Sequence, residues 1–218
     1  MSFAVGILCT FSALIASGYA LSCTECMVLG SKVCEGSTIT CAVNHTCGLQ
    51  YTVSHLDGVQ EKETFIRHCV PKNLCGLEAT NTYGNNIQAL SGISCCFTEN
   101  CLPPKPRLPL LSTKKNGLTC QTCLSLKSDS CAGDETIECN GNEDMCFLSS
   151  TKTAAPLSVE SSYRGCTTKN LCDLDEFSLS VHGITMDTKV ICSNGSPGLY
   201  NGFILPLLVV LLLGKMCS

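Results

Sequence analysis

Apolar and polar residues alternate with a period of two along several segments of the chain. Residues 49–54 alternate in this way, Asp57-Gly58 marks a turn, and residues 64–68 return toward Cys69. This is the pattern of a β-hairpin. No segment keeps a 3.6-residue apolar period except near the two ends of the chain, so the pattern predicts an all-β protein. Further β-like runs are residues 87–97, 159–163 and 177–191.

The first apolar end has the features of a signal peptide. Residues 3–15 form an apolar run, and Gly18 and Ala20 put small residues at the −3 and −1 positions of a cleavage site. We therefore expect residues 1–20 to be a signal peptide and the mature chain to begin at Leu21. The alternative for this run is a buried core helix, which the cysteine-dense chain directly after it disfavours.

The second apolar end is too short to span a bilayer as a helix. Residues 203–213 are apolar and would reach about 16 Å, roughly half of the hydrocarbon core. A polar spacer with small residues precedes them, which resembles the attachment signal of a glycosylphosphatidylinositol (GPI) anchor. We expect Asn194 to be the lipid-anchor site, with residues 195–218 as its spacer and tail. An uncleaved tail and a short membrane span are the alternatives.

Composition places the chain outside the cell. It has 20 Cys among 218 residues, a density typical of secreted disulfide scaffolds and foreign to cytosolic enzymes. Cys9 and Cys217 lie in the two ends, and 20 − 2 leaves 18 Cys, an even number that can pair completely. The 14 basic and 18 acidic residues disfavour nucleic-acid binding, which needs clustered Lys and Arg.

The cysteines between the two ends follow one spacing pattern twice. Seven consecutive steps agree within two residues, and the motif CVPKNLC at residues 69–75 returns at residues 166–172 as CTTKNLC. Such agreement indicates tandem repeats, which we place at residues 21–102 and 119–194. The linker between them, residues 103–118, has four Pro near its start and should act as an extended, semi-rigid spacer. The two repeats should therefore be separable by proteolysis in the linker.

The cysteine pattern resembles the three-finger domain of the Ly6/uPAR family. A Cys-x2-Cys pair opens each repeat, and Cys95-Cys96-x4-Cys101 closes the first. The second repeat lacks the closing pair, because Ser193 stands where the doubled Cys would continue. The resemblance implies an all-β, disulfide-rich fold of two tandem three-finger domains joined by the Pro-rich linker. The implied disulfides are Cys23–Cys47, Cys26–Cys34, Cys41–Cys69, Cys75–Cys95, Cys96–Cys101, Cys120–Cys146, Cys123–Cys131, Cys139–Cys166 and Cys172–Cys192.

Within this family, the chain is most similar to the gamma-type phospholipase A2 inhibitors. A ten-Cys repeat precedes an eight-Cys repeat, the Pro-rich linker ends in Asn116-Gly117, and Ile93-Ser94 precedes the doubled Cys. This resemblance implies a non-enzymatic extracellular module that binds and blocks a secreted phospholipase A2 or a similar disulfide-rich protein. The apolar tail departs from those secreted inhibitors. The alternative is therefore a GPI-anchored cell-surface receptor or adhesion protein of the same family.

The sequence carries no recognisable catalytic or metal site. Secreted phospholipases A2 need a His-Asp pair after a doubled Cys, whereas Phe97-Thr98-Glu99 follows here. The four His have no candidate nucleophile at catalytic spacing, and we expect them to be exposed on hairpins. In an oxidising compartment the Cys-x2-Cys pairs are structural, not zinc ligands. Residues 173–176 lack the pattern of a calcium loop. We expect no cofactor, no metal and no nucleic-acid partner.

The remaining candidates are surface residues. Asn44 lies in a glycosylation sequon, Asn44-His45-Thr46, on a predicted exposed turn, and Asn194 begins a second sequon that conflicts with its use as an anchor site. We expect binding at hairpin tips, with Leu56, Val59 and Leu157 as the candidate contact residues. The alternative is that these tips are ordinary exposed turns.

Overall fold

A computed structural model of the chain describes residues 20–30, 34–154, 158–181 and 183–197. These residues form an almost entirely β structure, as the sequence predicts. Within these ranges, no helix is long and apolar enough to cross a membrane. In the first repeat the strands are β1 Ser22–Leu29, β2 Ser37–Thr40, β3 His45–Leu56, β4 Val59–Pro71, β5 Glu78–Tyr83 and β6 Ile87–Cys96, with a 3₁₀ turn at Lys72–Leu74.

The second repeat begins within the predicted linker, because its first strand starts at Lys115. Its only helix among the described residues is the four-residue α1, Lys169–Cys172. The strands are β7 Lys115–Gln121, β8 Cys123–Ser125, β9 Thr136–Asn140, β10 Met145–Thr153, β11 Val159–Thr167, β12 Glu176–Val181, β13 Ile184–Ser193 and β14 Ser196–Pro197.

The hairpin predicted around Asp57-Gly58 is present. Leu56 pairs with Val59 across the turn, and both turn residues have positive φ, 50° and 81°, which an Asp-Gly turn tolerates. The run at residues 177–191 is two strands and not one. Gly183, with φ 74°, lets the chain reverse between β12 and β13.

Nine disulfides fix the two repeats in the part of the chain that the structure describes. The sulfur clusters at the base of each repeat contain cysteines that are almost fully buried, so they form small cores of their own. Such crosslinks compensate for the thin core of a small domain. They join the same nine pairs that the family resemblance implies, five in the first repeat and four in the second.

The sheets of the two repeats are continuous. β5 of the first repeat pairs antiparallel with β11 of the second, with Tyr83 opposite Gly165 and Asn81 opposite Thr167. The close approach requires glycine, because a Cβ at Gly165 would lie 2.0 Å from the Thr82 carbonyl oxygen. The sheet order is β12-β13-β10-β11-β5-β6-β3-β4-β1-β2, with β8 beside β11.

The repeats also share a hydrophobic core. β12, at one end of the sheet order, contacts β4 and β1 near the other end, so the sheet curls around an interior. Val70, Leu74 and Ile93 of the first repeat pack there against Leu179 of the second. Folding of the two repeats is therefore coupled through buried apolar surface.

The Pro-rich linker lies against the first repeat. The Ser94 hydroxyl donates to the Pro104 carbonyl oxygen, and the Lys105 ammonium sits 3.9 Å from the centre of the Tyr51 ring. Gln88 Nε2 donates to the Ser112 carbonyl oxygen at 3.2 Å. We name residues 103–113 the strap, because the segment covers the sheet face that carries Tyr51. The linker is therefore packed and is not a free spacer, while the separation of the repeats by proteolysis stays a prediction.

Candidate functional site

The structure places Leu56 and Val59 at an exposed hairpin tip. Their side chains are 40% and 63% exposed, and the turn between them is held by a hydrogen bond from Asn86 Nδ2 to Asp57 Oδ1 at 2.8 Å. The tip thus presents an adjacent apolar pair on a fixed backbone. Leu157, the third predicted contact residue, lies outside the described residues.

A solvent-open groove of about 530 Å³ lies on the second repeat. Leu148 of β10 stands between Arg164 of β11 and Ile191 of β13, its cross-strand neighbours on the two sides. All three side chains line the groove. Arg164 Nη1 donates to Gln121 Oε1 at 2.8 Å, while Arg164 Nε is buried and has no partner among the residues described.

Sequence reasoning missed this groove, although a signal was present. An arginine precedes the sixth cysteine of each repeat by two positions, as Arg67 before Cys69 and as Arg164 before Cys166. A charged residue kept at the same position of two repeats could have been singled out. Its neighbours Leu148 and Ile191 come from other strands, so only the pairing register shows the groove.

A buried carboxylate lies at the junction of the two repeats. The Glu143 side chain is fully buried and accepts a hydrogen bond from Thr82 Oγ1 of the first repeat at 2.5 Å. Its other oxygen accepts from the Asn140 backbone N–H at 2.8 Å. Burial raises the pKa of Glu143, and these hydrogen bonds oppose the shift only in part. The residue joins the repeats and does not face a groove.

Two of the three His that the structure describes are buried, which corrects the expectation that they are exposed; His182 lies outside the described residues. His55 is buried near the hairpin tip, and His68 of β4 is fully buried. Burial lowers the pKa of His68 to about 4. The backbone at Cys69 offsets part of this shift without making a hydrogen bond of good geometry, since both ring nitrogens lack a partner in the described part of the chain. Neither position indicates a His that would activate a nucleophile.

Among the described residues, three clusters of sulfur atoms are compact enough to hold a metal ion. Their atoms lie within 4.8 Å of one another. Each of these cysteines is joined in a disulfide, however, and a disulfide sulfur offers no thiolate to zinc. The clusters are Cys23, Cys41 and Cys69; Cys47, Cys96 and Cys101; and Cys120, Cys139 and Cys166.

The two sequon asparagines differ in their surroundings. Asn44 is exposed on a turn with φ 64°, and Thr46 of the same sequon is buried with its hydroxyl donating to the Cys96 carbonyl oxygen. Asn194 is also exposed, but the chain after it stays part of the fold. A Cβ at Gly195 would lie 2.6 Å from Cys146 Sγ, and β14 pairs with β7. Residues 198–218 of the predicted tail lie outside the described residues.

Comparison with known proteins identifies the family. Residues 19–104 match the u-PAR/Ly-6 domain model, and residues 118–197 match the phospholipase A2 inhibitor model. Phospholipase A2 inhibitor NAI of Notechis ater is 30% identical over 77% of this chain and 84% of its own. A gamma-type phospholipase A2 inhibitor of Elaphe climacophora is 29% identical over the same shares.

Two further matches have lower sequence identity. Protein RoBo-1 of Rattus norvegicus is 24% identical over 91% of this chain and 84% of its own. The crystal structure of mouse TEX101 aligns with 79% of this chain and 99% of that chain at 15% identity, with a TM-score of only 0.36. Two matched domain models and the extent of the inhibitor matches establish the relationship. The chain belongs to the u-PAR/Ly-6 family, in the group of two-domain proteins that includes the phospholipase A2 inhibitors.

Proposed function

We propose that this extracellular protein binds a secreted phospholipase A2, or a similar disulfide-rich protein, and blocks it by covering its surface without catalysis. Its relatives named phospholipase A2 inhibitors support this target class. The observation that carries the binding role is a disulfide-fixed frame that exposes an apolar hairpin tip. A frame that is rigid before binding loses little conformational entropy on association, which favours specific recognition.

The tip at Leu56 and Val59 offers the first contact. Both side chains are exposed across the Asp57-Gly58 turn, so a partner can bury them together. Burial of both would contribute about 3 kcal/mol before ordering costs, which is enough to affect affinity measurably. The hydrogen bond from Asn86 to Asp57 keeps the tip in place before a partner arrives.

Surface plasmon resonance with immobilised protein and a panel of secreted phospholipases A2 tests the proposal. The wild type should bind at least one enzyme, and the released enzyme should be intact and active because no covalent step occurs. Leu56→Asp with Val59→Asp should weaken binding by about tenfold or more. Leu126→Asp is the matched control, since Leu126 is an exposed leucine elsewhere, and it should bind like the wild type. Failure of every enzyme to bind would reject the target class.

A GPI-anchored receptor or adhesion protein is the second candidate. The apolar residues 203–213 favour it, but attachment at Asn194 would remove β14 and the packed Gly195 from the fold. Phosphatidylinositol-specific phospholipase C should release the protein from expressing cells if it is anchored. Full recovery in the medium without that enzyme would instead support the secreted form.

We also propose that Asn44 carries an N-linked glycan. Its side chain is exposed on a turn, clear of the strand pairing that begins at His45. Treatment with an N-glycosidase should increase the electrophoretic mobility of the secreted protein, and Asn44→Gln should remove that change. If the mobility of this variant still increases after treatment, the glycan is attached at Asn194 instead.

A further inference from the structure

The two repeats present the same sheet face, but only one of them is covered. The cysteine pattern sets the correspondence, since Leu49 and Leu148 each lie two positions after the fifth cysteine of their repeat. In each repeat this leucine lies between an arginine and a residue of a third strand. The first triad is Leu49, Arg67 and Ser94, and the second triad is Leu148, Arg164 and Ile191.

The strap shows what this face accepts. An extended, Pro-rich segment covers the first triad, and Ser94 donates to the strap at Pro104. Leu49 beneath it is only 2% exposed. An extended segment of this kind has no internal hydrogen bonds and leaves its carbonyl groups free for a partner. The face is therefore shaped to seat an extended proline-containing segment.

The second triad remains open. Ile191 is 51% exposed, and the chain that leaves the second repeat pairs with β7 as β14, so its described part does not cross the groove as the strap does. Among the residues that line the groove, Arg164 is the one with a charge. A guanidinium that lines a groove beside apolar side chains favours a carboxylate.

The two repeats differ at one position beside this face. Gly92 allows the strap to lie close, since a Cβ there would be 2.6 Å from the Arg107 carbonyl oxygen. The corresponding residue in the second repeat is Lys189, two positions before Ile191. Lys189 is exposed, and its cross-strand neighbour on β12 is Glu176, so the second repeat lacks the close approach that Gly92 allows and gains no net charge from this pair. An occupant of the groove is therefore expected at the second triad, where Arg164 favours an acidic side chain.

We propose that this groove binds an extended, proline-containing segment of a partner protein that carries an acidic side chain. Arg164 holds the carboxylate, and Leu148 and Ile191 contact the neighbouring apolar side chain. The proposal rests on the proposed function as a protein-binding module, and it supplies a second contact surface besides the hairpin tip. The strap keeps the equivalent face of the first repeat occupied, so only the second repeat offers this site.

The test uses two peptides that differ in one charge. The full mature chain, labelled with ¹⁵N, is titrated with acetyl-Leu-Pro-Glu-Leu-Pro-amide and with the same peptide carrying Gln in place of Glu. The amide signals of Leu148, Arg164 and Ile191 should shift, and the Glu peptide should bind about tenfold more tightly, as one charge-assisted hydrogen bond predicts. Arg164→Gln should remove the difference between the peptides.

The covered triad provides the matched control. Arg67→Gln changes the corresponding arginine of the first repeat and should leave both peptide affinities unchanged. Ile191→Ser, which copies Ser94, should weaken both peptides equally. Equal affinity of the two peptides, or an equal loss in the Arg67 and Arg164 variants, would overturn the proposal. It also fails if residues 198–218 or a second copy of the chain already fill the groove, which would abolish peptide-induced shifts in the wild type.

Parallel binding of a secreted phospholipase A2 separates the two proposals. Peptide binding without binding of any such enzyme would reject the target class and retain the groove. Enzyme binding that Arg164→Gln leaves unchanged, and with which the peptide does not compete, would retain the function and overturn the groove as a partner site.

Discussion

The buried imidazole of His68 makes the fold sensitive to acid. Its pKa of about 4 lies below the ordinary value of 6.5, so the unfolded chain binds a proton that the folded chain does not. Stability is fully present above pH 6.5 and falls as the pH decreases toward 4, by about 2–3 kcal/mol. His68→Leu should remove this loss. Denaturant midpoints measured between pH 4 and 7, with the disulfides intact, check the prediction.

A second histidine provides the control for this measurement. His45 is only partly buried at the start of β3. Its charge is the smallest of the causes that shift the pKa of His68, so His45→Gln should keep most of the wild-type acid dependence. If the stability of His68→Leu falls with decreasing pH as steeply as that of the wild type, other groups cause the loss of stability in acid.

Individual residues show what a sequence can and cannot indicate. The turn at Asp57-Gly58 was predictable, because few residue pairs tolerate positive φ at both positions. The burial of His68 was not, because it depends on which face of β4 points to the shared interior. Arg164 was missed for a similar reason, since its neighbours in the groove come from strands that lie far apart in sequence.

The strap can lie close to β6 because residue 92 is a glycine and has no side chain. A Cβ at Gly92 would lie 2.6 Å from the Arg107 carbonyl oxygen and 3.1 Å from Pro106 Cβ. Gly92→Val should therefore lift the strap while the strand keeps a residue type that suits it. Trypsin cleavage after Arg107 should become about tenfold faster, because local opening limits cleavage of a packed segment. Mass spectrometry of timed digests gives the rate.

The chain offers a matched glycine for comparison. The nearest atom to a Cβ built at Gly133 lies 3.5 Å away, so Gly133→Val should digest at the wild-type rate. Equal rates for the wild type and Gly92→Val would mean that the strap does not protect the linker.

Strands within a repeat were predictable, while contacts between elements of different repeats were not. The alternation at residues 49–54 and the cysteine spacing are local signals, and they indicated hairpins and tandem repeats. The position of the strap and the pairing of β5 with β11 depend on close packing of distant segments. A Pro-rich composition is compatible with both a spacer and a strap, and only packing distinguishes them.

At the scale of the whole molecule, Glu143 links pH to the association of the repeats. Its raised pKa means that the folded chain holds a proton more readily than the unfolded chain. This stabilisation is present at low pH and is lost as the pH rises through the raised pKa. It opposes the effect of His68, so Glu143→Gln should make the acid loss of stability steeper. The same denaturant series reports the change.

The groups around Glu143 define the control for that series. Thr82, Asn140 and Gln88 provide hydrogen bonds, and Lys115 is the nearby positive charge. Glu135 is exposed in a loop of the same repeat, and Glu135→Gln should therefore retain the wild-type pH dependence. If stability depends on pH in Glu143→Gln as it does in the wild type, another group causes this part of the pH dependence.

The shared core predicts that the two repeats cannot separate without exposing apolar surface. Val70, Leu74 and Ile93 pack against Leu179, and the pairing of β5 with β11 holds the repeats in this position. Gly165→Val should disrupt that pairing, because its Cβ would lie 2.0 Å from the Thr82 carbonyl oxygen. The disulfides would keep each repeat crosslinked while the curled sheet opens.

Two measurements should then change together in the Gly165→Val variant. Small-angle X-ray scattering should give a larger radius of gyration, and a hydrophobic dye should fluoresce on the exposed core, as it does on loosely packed states. Gly133→Val should match the wild type in both. A compact Gly165→Val variant that binds no dye would show that the shared core holds the repeats together without the strand pairing. An expanded variant without dye binding would show that the core side chains stay covered within their own repeats.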